Sequence, residues 1–465
     1  MTALMDRPTQ RPPVRRGRRS LSVVAALVAG LLALTGCTPE PADDAASPGV
    51  EIPDSPVGAR AEWALDLVNA EAPVAPDDLD GDLSPAMLEA VTLEEFAAAL
   101  NSIRESRPWT ATDYVENGAN AEVRLESYAT DPLQMKVAVD EAGLVDGLLF
   151  SPVPAEREAF TTWDELTGAV DGLPAATTLT VTHLTDGDET EPVFTAGDTG
   201  AHPMGSMVKL WVLAAVADAV KRGDLTWDTK LTVTDDLRSL PSGELQDAPA
   251  GTEVSVEDAA LKMISISDNT AMDLLINAVG RDAVEQTFAK LGQQDPGLNV
   301  PLLTSREAFQ VGWTENGALR DAWFRGDDDV RRAVIAGLPG GVVQLEAQDV
   351  TTPAWQQGID WFASAHDLVL VHTALQARAA TPSGAPIREI LGANPGLPFG
   401  DEWSYVAYKG GSVVGVLGGS WLLEREDGER YVITLQAAST DPAAVADVAR
   451  YFGLVEDAAA ILAAQ

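Results

Sequence analysis

Hydrophobic residues recur at helical spacing in two early segments of the chain, residues 59–70 and 92–103. Four shorter runs follow that have the composition of strands, at residues 109–115, 121–128, 133–139 and 144–150. Asn117-Gly118 is a turn signal between the first two of these runs. Helices followed by antiparallel strands predict a small α+β domain over residues 58–155.

A second domain is predicted over residues 160–465, where the patterns follow a different order. Helices are predicted at residues 163–170, 210–220, 270–279 and 445–464, and strands at 177–183, 192–196, 403–409, 413–422 and 431–437. The strands lie near both ends of this domain, and mostly helical segments separate them. This order predicts an antiparallel sheet flanked by helices, with an all-helical lobe inserted between its two halves.

The N-terminus has the pattern of a secretory signal peptide over residues 1–36. An arginine-rich segment precedes an apolar run at residues 21–34, which is too short to span a bilayer comfortably. The run ends in Leu34-Thr35-Gly36-Cys37 and resembles a bacterial lipobox, which implies cleavage before Cys37 and lipidation of its sulfur. The alternative is an ordinary secretory signal with an incidental cysteine.

Residues 37–57 are predicted to be a disordered tether, because they contain five prolines, five acids and no basic residue. Together with a lipid on Cys37, this tether would hold the soluble domains at the extracytoplasmic face of the cell membrane. The lipid anchor is thus the expected contact with the membrane.

The charge and cysteine content exclude several classes of function. The chain has 465 residues and a formal net charge of −40 at pH 7. Such acidity argues against a nucleic-acid partner, since neutralising phosphates requires a basic surface. Cys37 is the single cysteine, so an internal disulfide and a multi-thiolate metal site are both excluded. The sequence predicts no metal and no other cofactor.

Ser206 and Lys209 fall where an irregular segment gives way to the long apolar helix at 210–220. Ser206 is predicted to lie in the first turn of this helix and Lys209 one turn later, so an amine that could accept a proton lies on the same face as the serine hydroxyl. The helix start also offers unpaired N–H groups. The structural alternative is that Ser206 is only a helix cap.

Two further motifs supply possible partners. Ser267-Asp268-Asn269 lies between two predicted helices, where Ser267 could relay a proton and Asn269 could orient Lys209 and a substrate. Lys409 is predicted to end a strand, and its positive charge could lower the pKa of Lys209 and hold an anionic substrate. Gly410 and Gly411 would let a substrate approach the strand backbone. Taken singly, these motifs could also be a polar cap and a surface cation.

In this order the three motifs resemble the Ser-x-x-Lys, Ser-Asp-Asn and Lys-Thr/Ser-Gly set of class A β-lactamases and penicillin-binding proteins. The resemblance covers roughly residues 160–465, with an insertion between about 296 and 354. It implies an acyl-enzyme on Ser206, and an oxyanion hole formed by the backbone N–H groups of Ser206 and Ser412. It assigns Ser206, Lys209, Ser267 and Lys409 as catalytic, and Asn269, Gly410, Gly411 and Ser412 as substrate-binding.

The layout of the whole chain resembles the esterase family of clavulanic-acid clusters. In that family a small steroid-isomerase-like (cystatin-like) domain precedes a β-lactamase-like domain. For the first domain this implies a role in scaffolding or in positioning the substrate.

Two departures from the family bear on the substrate. Gly410 stands where a hydroxyl residue usually binds the carboxylate of a penicillin. No pattern of a second, deacylating glutamate follows Ser267, and the nearest candidate, Glu307, is better explained as part of a capping box with Thr304. Slow hydrolysis of penicillins is therefore expected, whereas an ester could still turn over.

The sequence thus predicts a serine hydrolase with esterase or β-lactamase-like activity toward a small-molecule ester, amide or β-lactam. One alternative is a D-alanyl-D-alanine carboxypeptidase of the penicillin-binding type. An alternative from another class is a non-catalytic module that binds peptidoglycan fragments of the cell wall.

Overall fold

The computed structural model describes residues 49–465 except for 129, 131, 141, 154–157, 186–189, 315–316 and 346–348. The predicted signal peptide, the lipidation site Cys37 and most of the tether lie outside the described residues. The chain divides into two compact units, one up to residue 156 and one from residue 157. No helix within the described part is long and apolar enough to cross a membrane.

The first unit has helices followed by an antiparallel sheet, in the predicted order. Its helices are α1 Pro56–Asn69, α2 Pro85–Ala90 and α3 Leu93–Arg104. Its strands are β1 Thr110–Asn117, β2 Asn120–Glu126, β3 Leu133–Val139 and β4 Val145–Pro152, which pair in sequence order. Alternate residues of β2 and β3 are buried, among them Val123 and Val137, and α1 packs against these two strands.

The second unit contains a five-stranded antiparallel sheet with the order β11-β12-β13-β5-β6. Its strands are β5 Ala176–Leu184, β6 Thr190–Ala196, β11 Tyr405–Val413, β12 Val416–Glu424 and β13 Arg430–Ala438. Strand β5 joins β13 in the middle of the sheet, so the two ends of this unit form one sheet. The described part of this unit also has two short antiparallel strand pairs. They are β7 His202–Pro203 with β10 Phe362–Ala363, and β8 Lys230–Thr232 with β9 Glu253–Ser255.

The helices of this unit lie on both faces of the sheet and in a separate lobe. They are α4 Trp163–Asp171, α5 Lys209–Arg222, α6 Val256–Ser265, α7 Asn269–Val279, α8 Arg281–Lys290, α9 Ser305–Trp313, α10 Ala318–Arg325, α11 Asp328–Ala336, α12 Ala365–Ala379, α13 Ile387–Gly392 and α14 Val448–Ala463. Helices α4 and α14 pack on one face of the sheet, and α5 and α12 pack on the other. The predicted antiparallel sheet flanked by helices, with a helical lobe between its two halves, is confirmed.

Helix α5 lies in the core between the sheet and the helical lobe. Its residues are apolar on all sides, and Leu210, Trp211 and Leu213 are fully buried. A helix that is apolar all round is stable only when it is surrounded by other elements. The polar side chain of Lys209, at its first residue, is consequently carried into the interior.

Two predicted boundaries near the site are wrong. Ser206 does not lie in the first turn of the α-helix, because a 3₁₀ turn at Gly205–Val208 precedes α5. Lys409 does not end its strand, because β11 continues through two glycines to Val413. Gly410 and Gly411 pair with Gly419 and Gly418 of β12. The backbone hydrogen bonds of this ladder hold the strand together although the glycines offer no side chain to pack.

Candidate active site

Ser206 lies on the 3₁₀ turn where the loop from β7 enters α5. The residue before it, Gly205, has φ of +51°, a left-handed conformation that other residues rarely adopt. A Cβ atom on Gly205 would lie 3.0 Å from the backbone nitrogen of Ser412 on β11, and one on Gly411 would lie 2.0 Å from the carbonyl oxygen of Met204. Glycine is therefore required on both sides for the serine turn and the strand to approach this closely.

Lys209 is fully buried, and its Nζ donates only to neutral oxygen atoms. Nζ lies 3.0 Å from Ser206 Oγ, 3.0 Å from Ser267 Oγ, 2.5 Å from the Ser267 carbonyl and 2.7 Å from Asn269 Oδ1. Burial lowers the pKa of Lys209 well below its ordinary value, and the positive charge of Lys409 lowers it further. The neutral amine is a base that can take the serine proton.

Ser267 occupies the loop between α6 and α7 in a strained conformation. Its φ is +59°, and it is the only non-glycine residue of the described part with a positive φ. The neighbouring Asp268 fixes this loop, because its carboxylate accepts the backbone N–H groups of Glu244, Leu245 and Ala271 at 2.8, 2.9 and 2.8 Å. This support holds the Ser267 hydroxyl in the site.

Lys409 reaches the same hydroxyl from the sheet. Its Nζ lies 3.0 Å from Ser267 Oγ and 2.9 Å from the carbonyl oxygen of Gly410. Burial lowers the pKa of Lys409 to about 7. The structure thus brings Ser206, Lys209, Ser267 and Lys409 into one hydrogen-bonded group.

Asn269 and Gly410, which were predicted to bind the substrate, are both in contact with other protein groups. The side chain of Asn269 accepts from Lys209 through Oδ1 and donates to the Leu240 carbonyl through Nδ2 at 3.2 Å, so its amide is engaged within the protein. Gly410 is covered by Tyr408, whose hydroxyl oxygen would lie 2.1 Å from a Cβ atom at position 410. A side chain at position 410 would thus require Tyr408 to move.

Ser412 is exposed on β11 next to the serine turn. Its backbone nitrogen and that of Ser206 belong to the same close junction, since a Cβ atom on Gly411 would also lie 3.0 Å from the Ser206 nitrogen. Ser206 and Ser412 line a cavity of about 60 Å³ together with Gly205, Asn269, Ser305, Ala308, Phe309, Trp313, Ile359, Asp360, Trp361 and Val413. The serine turn and β11 therefore border the same small cavity.

Two buried carboxyl groups near the site were not found by sequence analysis. Burial raises the pKa of Asp273 to about 7, and its carboxylate accepts the N–H groups of Ser305 at 2.7 Å and of Arg306 at 2.8 Å. Burial also raises the pKa of Asp360 to about 7. Asp273 follows Asn269 by one helical turn, a spacing that could have pointed to it. No pattern in the sequence marks Asp360.

Glu307 forms the predicted capping box of α9 and is not available as a second base. The Thr304 hydroxyl accepts from the Glu307 N–H at 3.2 Å, and the Glu307 carboxylate accepts from the Thr304 N–H at 2.9 Å. Arg281 forms a salt bridge of 2.6 Å with the same carboxylate. The interpretation of Glu307 as a cap is confirmed.

A serine hydroxyl beside a buried lysine with a lowered pKa, and backbone N–H groups at a narrow junction, are the elements that acyl transfer by a serine requires. The sequence model described as the beta-lactamase enzyme family matches residues 162–450, well over half of the chain. The chain therefore belongs to this family, and the predicted resemblance to β-lactamases and penicillin-binding proteins is confirmed. Its membership supports a serine hydrolase.

Other comparisons are more distant. A model described as the N-terminal part of the ORF 12 gene product matches residues 52–145. No curated protein matches the chain. Among solved structures, a β-lactamase from Sphaerobacter thermophilus is 21% identical and covers 65% of this chain and 96% of its own, with a TM-score of 0.44. The structure of PBP-A is 19% identical and covers 67% of this chain and 100% of its own, with a TM-score of 0.45.

Proposed function

We propose that this protein is a hydrolase that forms an acyl-enzyme on Ser206 and then hydrolyses it. The observation that carries the proposal is the 3.0 Å contact between Ser206 Oγ and Nζ of a fully buried Lys209. A serine is a weak nucleophile unless a neighbouring base takes its proton. An amine whose pKa burial lowers well below its ordinary value can act as such a base.

Acylation would begin when Lys209 takes the Ser206 proton and Oγ attacks the carbonyl carbon of the substrate. The negative charge on the carbonyl oxygen would be stabilised by the N–H groups of Ser206 and Ser412. One donor of this kind typically contributes about 3 kcal/mol to lowering the barrier. Ser267 Oγ, which contacts both lysines, would pass the proton from Lys209 to the leaving group. The charged form of Lys409 would stabilise this relay.

The substrate is proposed to be a small-molecule ester, amide or β-lactam, with esterase or weak β-lactamase-like activity as the first choice. Gly410 offers no hydroxyl for a penicillin carboxylate, and Tyr408 covers this position. An ester has a better leaving group than an amide and depends less on such a contact. This combination favours esters over penicillins.

Labelling by two probes tests the proposal. A fluorophosphonate should phosphonylate the wild type, and a fluorescent penicillin should acylate it. Neither probe should label Ser206→Ala. Ser404→Ala is a matched control, because Ser404 is an exposed serine whose hydroxyl bonds only the Glu424 carbonyl, and it should label like the wild type.

The fate of the label separates the candidate functions. Rapid release of the penicillin would favour a β-lactamase, and a persistent label would favour a carboxypeptidase of the penicillin-binding type. Absence of labelling by both probes would contradict an acyl-enzyme and favour the module that binds cell-wall fragments.

The extracytoplasmic, lipid-anchored location is part of the same proposal and is supported by the sequence around Cys37. In a bacterial host that processes lipoproteins, the full chain should incorporate an alkyne-labelled fatty acid and sediment with membranes. Cys37→Ala should do neither, since the chain has no other cysteine. Equal membrane binding of both forms without fatty-acid incorporation would contradict the lipid anchor.

A further inference from the structure

A groove of about 590 Å³ lies apart from the cavity of the candidate active site, and the two have no described residue in common. We call it the aromatic groove, because Phe324, Trp355 and Phe362 line it. Leu298 and Arg331 line it as well, and the rest of its described wall is glycine and glutamine. This volume, with mostly apolar walls and a few polar groups, is typical of sites that bind small molecules.

The apolar part of the groove is open to water. Phe324 is 57% exposed and Leu298 is 42% exposed, although large hydrophobic side chains are mostly buried in this chain. Trp355 is fixed in position, since its indole N–H donates to the Ser439 carbonyl at 3.2 Å. An apolar molecule that covers these side chains removes their surface from water, which favours binding.

Of the described residues that line the groove, only Arg331 is charged, and its side chain is held in place. Nε donates to the Trp323 carbonyl at 3.2 Å, and the guanidinium carbon lies 5.3 Å from the centre of the Trp323 ring. The indole N–H of Trp323 donates in turn to the Gly358 carbonyl at 2.9 Å. The guanidinium is therefore positioned before any ligand arrives, which lowers the entropy lost on binding.

The two terminal nitrogens of Arg331 make no hydrogen bond and no salt bridge within the described part of the chain. Its sequence neighbour Arg332, in contrast, forms a salt bridge of 3.1 Å with Glu285. The chain has 71 acidic and 31 basic residues, so an arginine without a carboxylate partner is unexpected. Because a guanidinium binds a carboxylate through two parallel N–H bonds, these nitrogens suit the carboxylate of a ligand.

We propose that the aromatic groove binds a small monocarboxylic acid with a flat aromatic body. The carboxylate pairs with the terminal nitrogens of Arg331, and the body lies against Phe324 and Trp355. The ligand carries a single negative charge, because the groove offers one cation and the net charge of −40 repels multiply charged anions. The inference does not depend on the proposed function, since binding in the groove involves none of the residues of the candidate active site.

The test titrates the full chain with 2-naphthoate and with 2-naphthylmethanol, a neutral molecule of similar shape, and follows both by ligand-observed NMR. The acid should bind with a dissociation constant of about 1 mM or tighter, as expected for its size. The alcohol should bind about 10-fold more weakly, because it lacks the charge that pairs with Arg331. Added salt should weaken binding of the acid more than that of the alcohol, since salt screens the ion pair.

Variants of two lining residues locate the site. Arg331→Gln should weaken binding of the acid by about 10-fold, and Arg331→Lys should retain part of it because the charge remains. Arg332→Gln is the matched control, since it removes the same charge from the next residue of α11 and should bind like the wild type. Phe324→Ala should weaken both molecules by about 2- to 10-fold. This last variant changes an exposed side chain, so it remains informative if Arg331→Gln folds poorly.

Three outcomes would overturn the proposal. The first is equal affinity for the acid and the alcohol, or undiminished binding of the acid to Arg331→Gln. The second is binding that Lys409→Met abolishes and Arg331→Gln preserves, which would place the acid in the candidate active site. The third is a dimer in sedimentation that Phe324→Ala dissociates, which would show that a second copy of the chain covers the groove. Labelling of Ser206 is measured separately, so none of these outcomes would contradict the proposed function.

Discussion

Lys209 and Lys409 donate to the same acceptor, the hydroxyl oxygen of Ser267, at 3.0 Å each. Two ammonium groups that share one neutral acceptor in a buried site repel each other strongly. At least one of them is therefore neutral near physiological pH, in agreement with the lowered pKa of both amines. The pair can thus hold one proton and move it through Ser267.

Lys209→Met should abolish most of the acylation without unfolding the protein. The variant removes the base, so labelling by the fluorophosphonate should slow by about 100-fold or more. It also removes an amine whose burial is unfavourable, and this gain offsets the loss of the hydrogen bond to Asn269 Oδ1, so the Tm should stay within a few degrees of the wild type. Labelling kinetics and thermal unfolding measure the two effects, and labelling at the wild-type rate would contradict Lys209 as the base.

Lys409→Met should change the free energy of unfolding in a pH-dependent way. The pKa of Lys409 in the folded protein, about 7, lies below the ordinary value of 10.5 that applies to the unfolded chain, so the unfolded state binds more protons between these values. Below pH 7, the burial of charged Lys409 lowers the free energy of unfolding of the wild type by its full amount. This loss decreases as the pH rises toward 10.5.

The variant should therefore be more stable than the wild type by an amount that is constant below about pH 7 and decreases above it. Urea unfolding at several pH values measures this difference. Lys221→Met, at an exposed position of α5, is a control that should show no such trend. A gain that grows with rising pH would contradict the lowered pKa.

Gly411→Ala should disrupt the junction between the serine turn and β11. The added Cβ atom would lie 2.0 Å from the Met204 carbonyl oxygen, so the strand or the turn must move. Since the proposed oxyanion hole spans this junction, acylation should slow by about 100-fold or more. Gly168→Ala serves as the control, because this exposed glycine of α4 has open space around it and alanine should stabilise the helix by about 0.5–1 kcal/mol. Full activity in Gly411→Ala would contradict the arrangement.

Asp268→Ala should lower both stability and activity. The carboxylate that it removes binds three backbone N–H groups, and each buried donor left unpaired costs roughly 1–3 kcal/mol. The free energy of unfolding should fall by about 3 kcal/mol or more, and acylation should slow because Ser267 loses its support. Urea unfolding combined with probe labelling measures both changes. A variant that keeps its stability but loses labelling would instead point to a direct role in the reaction.

The sequence predicts much of this fold because its elements have strong local patterns. The alternation in β2 and β3 and the capping box at Thr304 determine structure over a few residues. The wrong boundary at Lys409 has a tertiary cause, since two glycines remain in a strand only because β12 presents two glycines opposite them. Such pairing cannot be seen from one segment alone.

The residues of the candidate site could likewise be predicted only in part. The motifs around Ser206, Ser267 and Lys409 could be found because each is short and has a characteristic composition. Asp360 could not, because it reaches the serine turn through the pairing of β10 with β7, two strands of two residues each. A pairing this short leaves no periodic pattern in the sequence.

The turn with Ser206 and the strand β11 against which it packs are about 200 residues apart in the sequence of the second unit. During co-translational folding, the segment with Ser206 leaves the ribosome long before β11, so the nascent chain cannot yet form the narrow junction between them. The Ser206 hydroxyl thus acquires its surroundings only when synthesis is nearly complete. Chains that terminate before β11 would therefore lack this junction.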